Sequence, residues 1–272
     1  MRIPPDVSEW LNLLARWFHV FSGILWVGST YYFTWLDGRF QEAEREAGEG
    51  KDAAEVWMVH SGGFYVVQKK KTPGARELHW FRWEAMLTWL SGAFLLVLVY
   101  YMSDGMVYAE PDALSHTKAV LFGIGMILAG GVVYDVLVRS PLVKSEKAFA
   151  AVAYAVVVGA AYLSTRVLSG RAAFLHVGAT MGTIMVANVW MHILPAQRRM
   201  IAAAREGRAP DARDAALAKL RSKHNTFMVV PVVFTMISNH YPVSTYGHEY
   251  NWLILSGLVL AGWVAAKIIR RA

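Results

Sequence analysis

Apolar and polar positions alternate in blocks along this chain, long apolar runs being separated by shorter polar ones. A run of about twenty apolar residues is long enough to cross a hydrocarbon layer of about 30 Å as a helix. Such runs fall at about Leu11 to Leu36, His79 to Met102, Thr117 to Val138, Glu146 to Leu168, Phe174 to Pro195, His224 to His240 and Tyr250 to Ile269. They predict an all-α polytopic membrane bundle of about seven transmembrane helices, one integral membrane domain spanning residues 1–272. Two polar blocks stand out between the runs. In residues 37–78 the stretch QEAEREAGEGKDAAEVW predicts a surface helix broken by Gly48 and Gly50, followed by HSGGFYVVQKKK. Residues 196–223 form a basic loop with a short helix, DARDAALAKL. Pro231 predicts a kink in the sixth run.

Composition agrees with this pattern: 56% of residues are hydrophobic, against about 45–50% in soluble proteins. There is no cysteine, which excludes disulfides, thiolate metal sites, iron–sulfur clusters and covalently attached c-type haem. The net charge of +7 raises the question of a nucleic-acid partner. Its distribution answers that question. Twenty-one Lys and Arg lie in residues 37–78, 139–147, 196–223 and the carboxyl end, whereas only Arg2, Arg166 and Arg171 lie in the opposite loops. The charge therefore reads as membrane orientation, not nucleic-acid binding, with the amino terminus outside and the carboxyl terminus cytoplasmic. The lysine run Lys69 to Lys71 reads as a solvated face near anionic lipid headgroups. MRIPPDVSEW lacks the features of a cleaved signal peptide, so the first span is expected to be its own targeting signal.

Ionisable groups inside apolar runs are costly and mark candidate sites. His19 is intramembrane, and Arg16 lies one turn from it, where it could meet an anionic group such as a haem propionate. The competing reading of His19 is a histidine bonded to a neighbouring helix. His176 and His192 open and close the fifth run, sixteen residues and roughly 24 Å apart. Small residues flank His176 (Ala179, Thr180, Thr183, Ala187), leaving a groove for a planar cofactor or another helix. His224 and His240 bracket the sixth run in the same way. Depth sorts His19, His116, His176, His240 and His248 to the outer side and His60, His79, His192 and His224 to the inner side.

Layered imidazoles on several helices are what haem b ligation needs, since iron takes one or two axial nitrogens. On a straight helix sixteen residues turn through about 160° net, so the two histidines of one run are expected on nearly opposite faces. That favours a single outer haem, held by two of His19, His176 and His240, over two haems stacked between the fifth and sixth runs. Copper or zinc on His19, His176, His240 and His224 is the alternative. Glu84, deeper than the tryptophan belt of HWFRWEAMLTWLSG, and His60, beside two glycines, are the candidate catalytic groups; Glu84 can pair with Arg82 or relay protons.

Five segments, HVFSGILWVGSTYYF, HSGGFY, WFRWEAMLTWLSG, HVGATMGTIMVANVW and RSKHNTFMVVPVVFTMISNHYP, resemble the membrane domain of the bacterial membrane-bound, cytochrome c-linked urate oxidase (urate hydroxylase) family. His19, His60, Glu84, His176, His224 and His240 fall in the matching segments, with His192 at their edge. The resemblance implies purine oxidation or membrane electron transfer in a bacterial inner membrane. Family members continue through an eighth span into an exported cytochrome c domain. Here a separate cytochrome c, or quinone, is the expected electron acceptor, with a peripheral dehydrogenase as a further expected partner and a homo-oligomer as an expected assembly. The alternative function is a haem-free transporter or proton pathway, or the membrane anchor of a redox complex.

Overall fold

The computed structural model describes residues 5–47, 55–70, 77–103, 107–109 and 114–270. Its architecture is all-α apart from one small hairpin. Helix α1 runs Pro5–Ala47, and strands β1 (Glu55–His60) and β2 (Gly63–Gln68) pair antiparallel. Helix α2 (Trp83–Leu96) ends in a π-helical turn, Val97–Tyr101. Then come α3 (His116–Arg139), α4 (Glu146–Val167) and α5 (Gly170–Ala187). A second π-helical turn, Asn188–Ile193, joins α5 to α6 (Leu194–Arg205), and α7 (Ala212–Ile237) and α8 (Asn251–Ile269) complete the fold. Five of these rods are long and apolar enough to cross a membrane: Trp83–Tyr101, His116–Arg139, Glu146–Val167, Gly170–Arg205 and Asn251–Ile269.

Local chemistry sets the boundaries. Ser145, Ser169 and Asp211 accept hydrogen bonds from the first-turn amides of Ala148, Ala172 and Arg213, satisfying donors that a helix start leaves free. Pro141 follows Ser140, whose extended backbone stops α3. The core is built around α5, whose Phe174, Val177, Met181, Ile184 and Met185 pack against Met228 and Val229 of α7 and Leu255 and Val259 of α8.

The hairpin lies where a surface helix was expected. Residues 41–47 continue α1 without a break, residues 48–54 lie outside the described residues, and Glu55 to Trp57 are strand. Alternation explains the strand: Val56 is buried and Met58 half-buried, while Trp57 and Val59 between them point outward. Ser61 (φ 50°) and Gly62 (φ 76°) make the two-residue turn, both in the left-handed conformation that matches hairpin twist. Val56 sits on Leu36 and Phe40, fixing the hairpin to the last turns of α1, and Lys69 pairs with Glu44 at 3.2 Å. Lys71 lies outside the described residues.

Two other expectations change. Residues 196–223 are not a loop with a short helix: α6 continues the fifth span to Arg205, and α7 starts at Ala212 and runs unbroken into the sixth. His79 and Trp80 precede α2 instead of opening it.

Candidate functional site

The helices alternate in direction, giving the bundle a hairpin end and a far end. At the hairpin end a polar network joins α3, the second π-helical turn and α7. Arg221 is 2% exposed. Its Nη2 donates to Asp135 Oδ1 at 2.5 Å and its Nη1 to Asn188 Oδ1 at 3.1 Å. The Asn188 amide donates to Asn225 Oδ1 at 2.8 Å and to the Tyr134 hydroxyl at 2.9 Å. Because that hydroxyl already accepts, its proton goes to His224 Nδ1, 2.9 Å away. The His224 ring stacks on Phe149 of α4, with centroids 4.8 Å apart. His192 Nε2 lies 3.5 Å from Asp135 Oδ1, and Arg139 Nε donates to Oδ2 of the same carboxylate at 2.6 Å. The bundle thus holds a compensated guanidinium–carboxylate pair whose guanidinium is buried and whose carboxylate is partly exposed, with two imidazoles attached through hydrogen bonds and charge. Such a network can bind an anion or pass a proton between its members.

The π-helical turn overturns the straight-helix expectation for His176 and His192. Both rings meet α3, His176 beside Gly123 and His192 beside Asp135. One extra residue in a helical turn shifts the phase of everything beyond it. Two histidines that a regular helix would set on opposite faces therefore face the same neighbour.

At the far end His176 is completely buried. Its Nδ1–H donates to the Ala172 carbonyl at 2.7 Å, and its Nε2 accepts from the Tyr101 hydroxyl at 2.9 Å. Any Cβ at Gly123 would collide with the ring, so glycine is required there. His116 Nε2 donates to the Tyr101 carbonyl at 2.9 Å. His240 closes the turn after α7, next to Asn239, which accepts from Arg171 Nε at 2.9 Å and from Tyr100.

His19 lies deeper than its expected place in that layer. Its Nδ1–H is shared by the Thr88 carbonyl and Ser91 Oγ, each at 3.0 Å, and its ring presses on Gly92. Tyr101, the partner of His176, is nine residues further along the same rod, roughly 13 Å. His19 and His176 are therefore not brought together on one iron. Arg16 bonds Asn12 on its own helix.

Donor chemistry distinguishes the two rings. In both, Nδ1–H is tied to a backbone carbonyl, which places the lone pair on Nε2 as a metal-ligating imidazole requires. At His176 that lone pair is taken by Tyr101, and Gly123 crowds it. At His19, Nε2 has no hydrogen-bond partner among the described residues. Single axial ligation through His19 fits; a His19–His176 pair does not. No group of three or more His, Asp or Glu poised for a bare metal ion occurs among the described residues.

The two candidate catalytic groups stand apart. His60 is exposed at the hairpin tip, whereas Glu84 is in the first turn of α2 with its Oε2 buried and without a hydrogen-bond partner among the described residues. Sequence reasoning missed Arg221, Asn188, Asn225 and Tyr134. The one signal available was polarity in apolar context: Asn188 interrupts an otherwise apolar run, and Arg221 and Asn225 flank His224 on one helix.

An all-α bundle with five membrane-length apolar rods and polar networks among them defines an integral membrane protein. The chain belongs to the urate oxidase N-terminal family, whose sequence pattern matches residues 5–271. No curated protein and no solved structure matches it.

Proposed function

We propose that this chain is the membrane oxidoreductase part of a urate oxidase-like system in a bacterial inner membrane, with the hairpin end cytoplasmic. In the reaction a water oxygen bonds to the purine ring, two electrons and two protons leave, and the electrons pass to a separate cytochrome c or to quinone. The observation that carries this reading is the family match across residues 5–271. The Asp135–Arg221–Asn188–Tyr134–His224 network supports it, because purine oxidation releases protons and this network supplies acceptors opening to one face through half-buried Asp135 and His192. Haem b held through His19 Nε2 would supply one-electron chemistry between substrate and carrier. The protein's own contribution is to fix that imidazole's tautomer through Thr88 and Ser91.

Purified protein given urate and oxidised cytochrome c is expected to consume urate and reduce two cytochromes per urate. Absence of both changes, with either cytochrome c or a quinone as acceptor, rejects the reading. His19→Ala is expected to lose the visible haem spectrum while the protein still inserts; an unchanged spectrum removes His19 as ligand.

A further inference from the structure

We propose that the cleft between α6 and the segment leading into α2 is a binding site for a planar, negatively charged heterocycle. The proposal rests on the reading above and locates where such a substrate binds. Arg198, Ile201, Ala202 and Arg205 recur at the spacing that puts residues on one helical face. With Trp80 and Glu206 they line a cleft of about 390 Å³. A second cleft of about 400 Å³ shares Trp80, Ile201 and Arg205 and adds Glu77 and Leu78. Volumes of this size lie at the lower end of small-ligand sites.

The charges point to an anion. Arg199 is paired with Asp214 at 3.0 Å, and Arg208 with Glu206. Arg198 and Arg205, on the cleft face, have no hydrogen-bond or ion-pair partner among the described residues. Of the two carboxylates that line these clefts, Glu206 is paired with Arg208, and an anion placed between Arg198 and Arg205 is attracted by both. Trp80 supplies a flat face, on which conjugated rings stack.

The ground beside the cleft is also short of partners. Trp80 packs in one cluster with Trp190. The Arg82 guanidinium lies 5.7 Å from the Trp83 ring and 6.0 Å from that of Trp190. Arg82 Nε, Trp190 Nε1 and Glu84 Oε2 are buried without a hydrogen-bond partner among the described residues, though none of the three lines either cleft. An oxidised purine anion carries negative charge and carbonyl oxygens for the two arginines and a conjugated ring for Trp80. A lipid phosphate matches the arginines but not Trp80.

The test is equilibrium binding of urate to the full chain in phosphatidylcholine nanodiscs, measured by calorimetry. The Arg198→Gln/Arg205→Gln double variant is expected to weaken urate binding at least tenfold, and Trp80→Leu severalfold. Hypoxanthine, an uncharged purine, is expected to bind more weakly than urate and to be indifferent to the arginines. Both arginines are exposed, so folding is expected to survive their loss. An unchanged urate affinity in the double variant overturns the proposal, as does a wild-type chain that binds no urate. A variant that loses only its affinity for phosphatidylglycerol vesicles overturns it in favour of lipid. Turnover with cytochrome c separates the two readings: wild type that binds urate through these arginines yet oxidises none rejects the proposed function and leaves this site standing.

Discussion

At the far end, His176 is held by two neutral partners, the Ala172 carbonyl and the Tyr101 hydroxyl. At the hairpin end, His224 and His192 belong to a network built on a guanidinium and a carboxylate. The first arrangement is sealed: both ring nitrogens are used and nothing in it carries charge. The second has two almost wholly buried members, Arg221 and Asn188, and one, Asp135, whose side chain keeps 31% of its surface exposed. Charge in an apolar interior persists when its partner stays in touch with a wetter boundary, and the same contact gives a proton a way out. The far-end group thus fastens rods through neutral contacts, whereas the hairpin-end group holds buried charge that reaches a partly exposed carboxylate.

Substitutions can break this contrast. The largest effect is expected from Arg221→Met, which leaves Asp135 facing the interior without its main counter-charge and strips Asn188 of a donor. A loss of about 3 kcal/mol is expected, at the low end for a buried pair because Asp135 is half-exposed. The midpoint of thermal unfolding in detergent reports it, and adding Asp135→Asn should recover a large part. If the single and double variants unfold together, the pair is not what holds this end.

Tyr101→Phe should have a smaller effect, about 1–3 kcal/mol, because it leaves the buried His176 Nε2 without a donor. Its diagnostic is specificity: the far end should loosen in hydrogen exchange while amides around Asn188 keep their protection. Equal loosening at both ends would show that the two groups act as one unit.

The smallest effect belongs to the hairpin. Gly62→Val places a β-branched residue at φ 76°, and a penalty of about 1–2 kcal/mol is expected. Proteolysis within residues 55–68 should quicken while the unfolding midpoint of the bundle stays fixed.

The helical spans were legible because twenty-residue apolar runs have few other fates, and the family resemblance read from five segments agrees with the match over residues 5–271. The hairpin was not legible: EVWMVH and GFYVVQ are short, and the acidic helix pattern before them masked the period-two alternation. The site was only half legible. Histidines announce themselves inside apolar sequence, which is why His19, His176 and His224 were found. Asn188 and Tyr134 did not, because amides and tyrosines are ordinary in helices until a fold closes them together. The π-helical turn at Asn188–Ile193 had no mark in composition at all, yet it decides which way His192 faces.

Helix α1 is continuous from Pro5 to Ala47, 43 residues, and so about 65 Å from tip to tip. Its final turns clamp the hairpin through Leu36 and Phe40. The rod and the hairpin therefore behave as a mast with a fixed flag: one residue inserted in α1 ahead of Leu36 would swing the flag by about 100° and shift it about 1.5 Å along the axis. The direction in which exposed Trp57 and Phe64 face is written in the length of a helix, not in the hairpin that bears them.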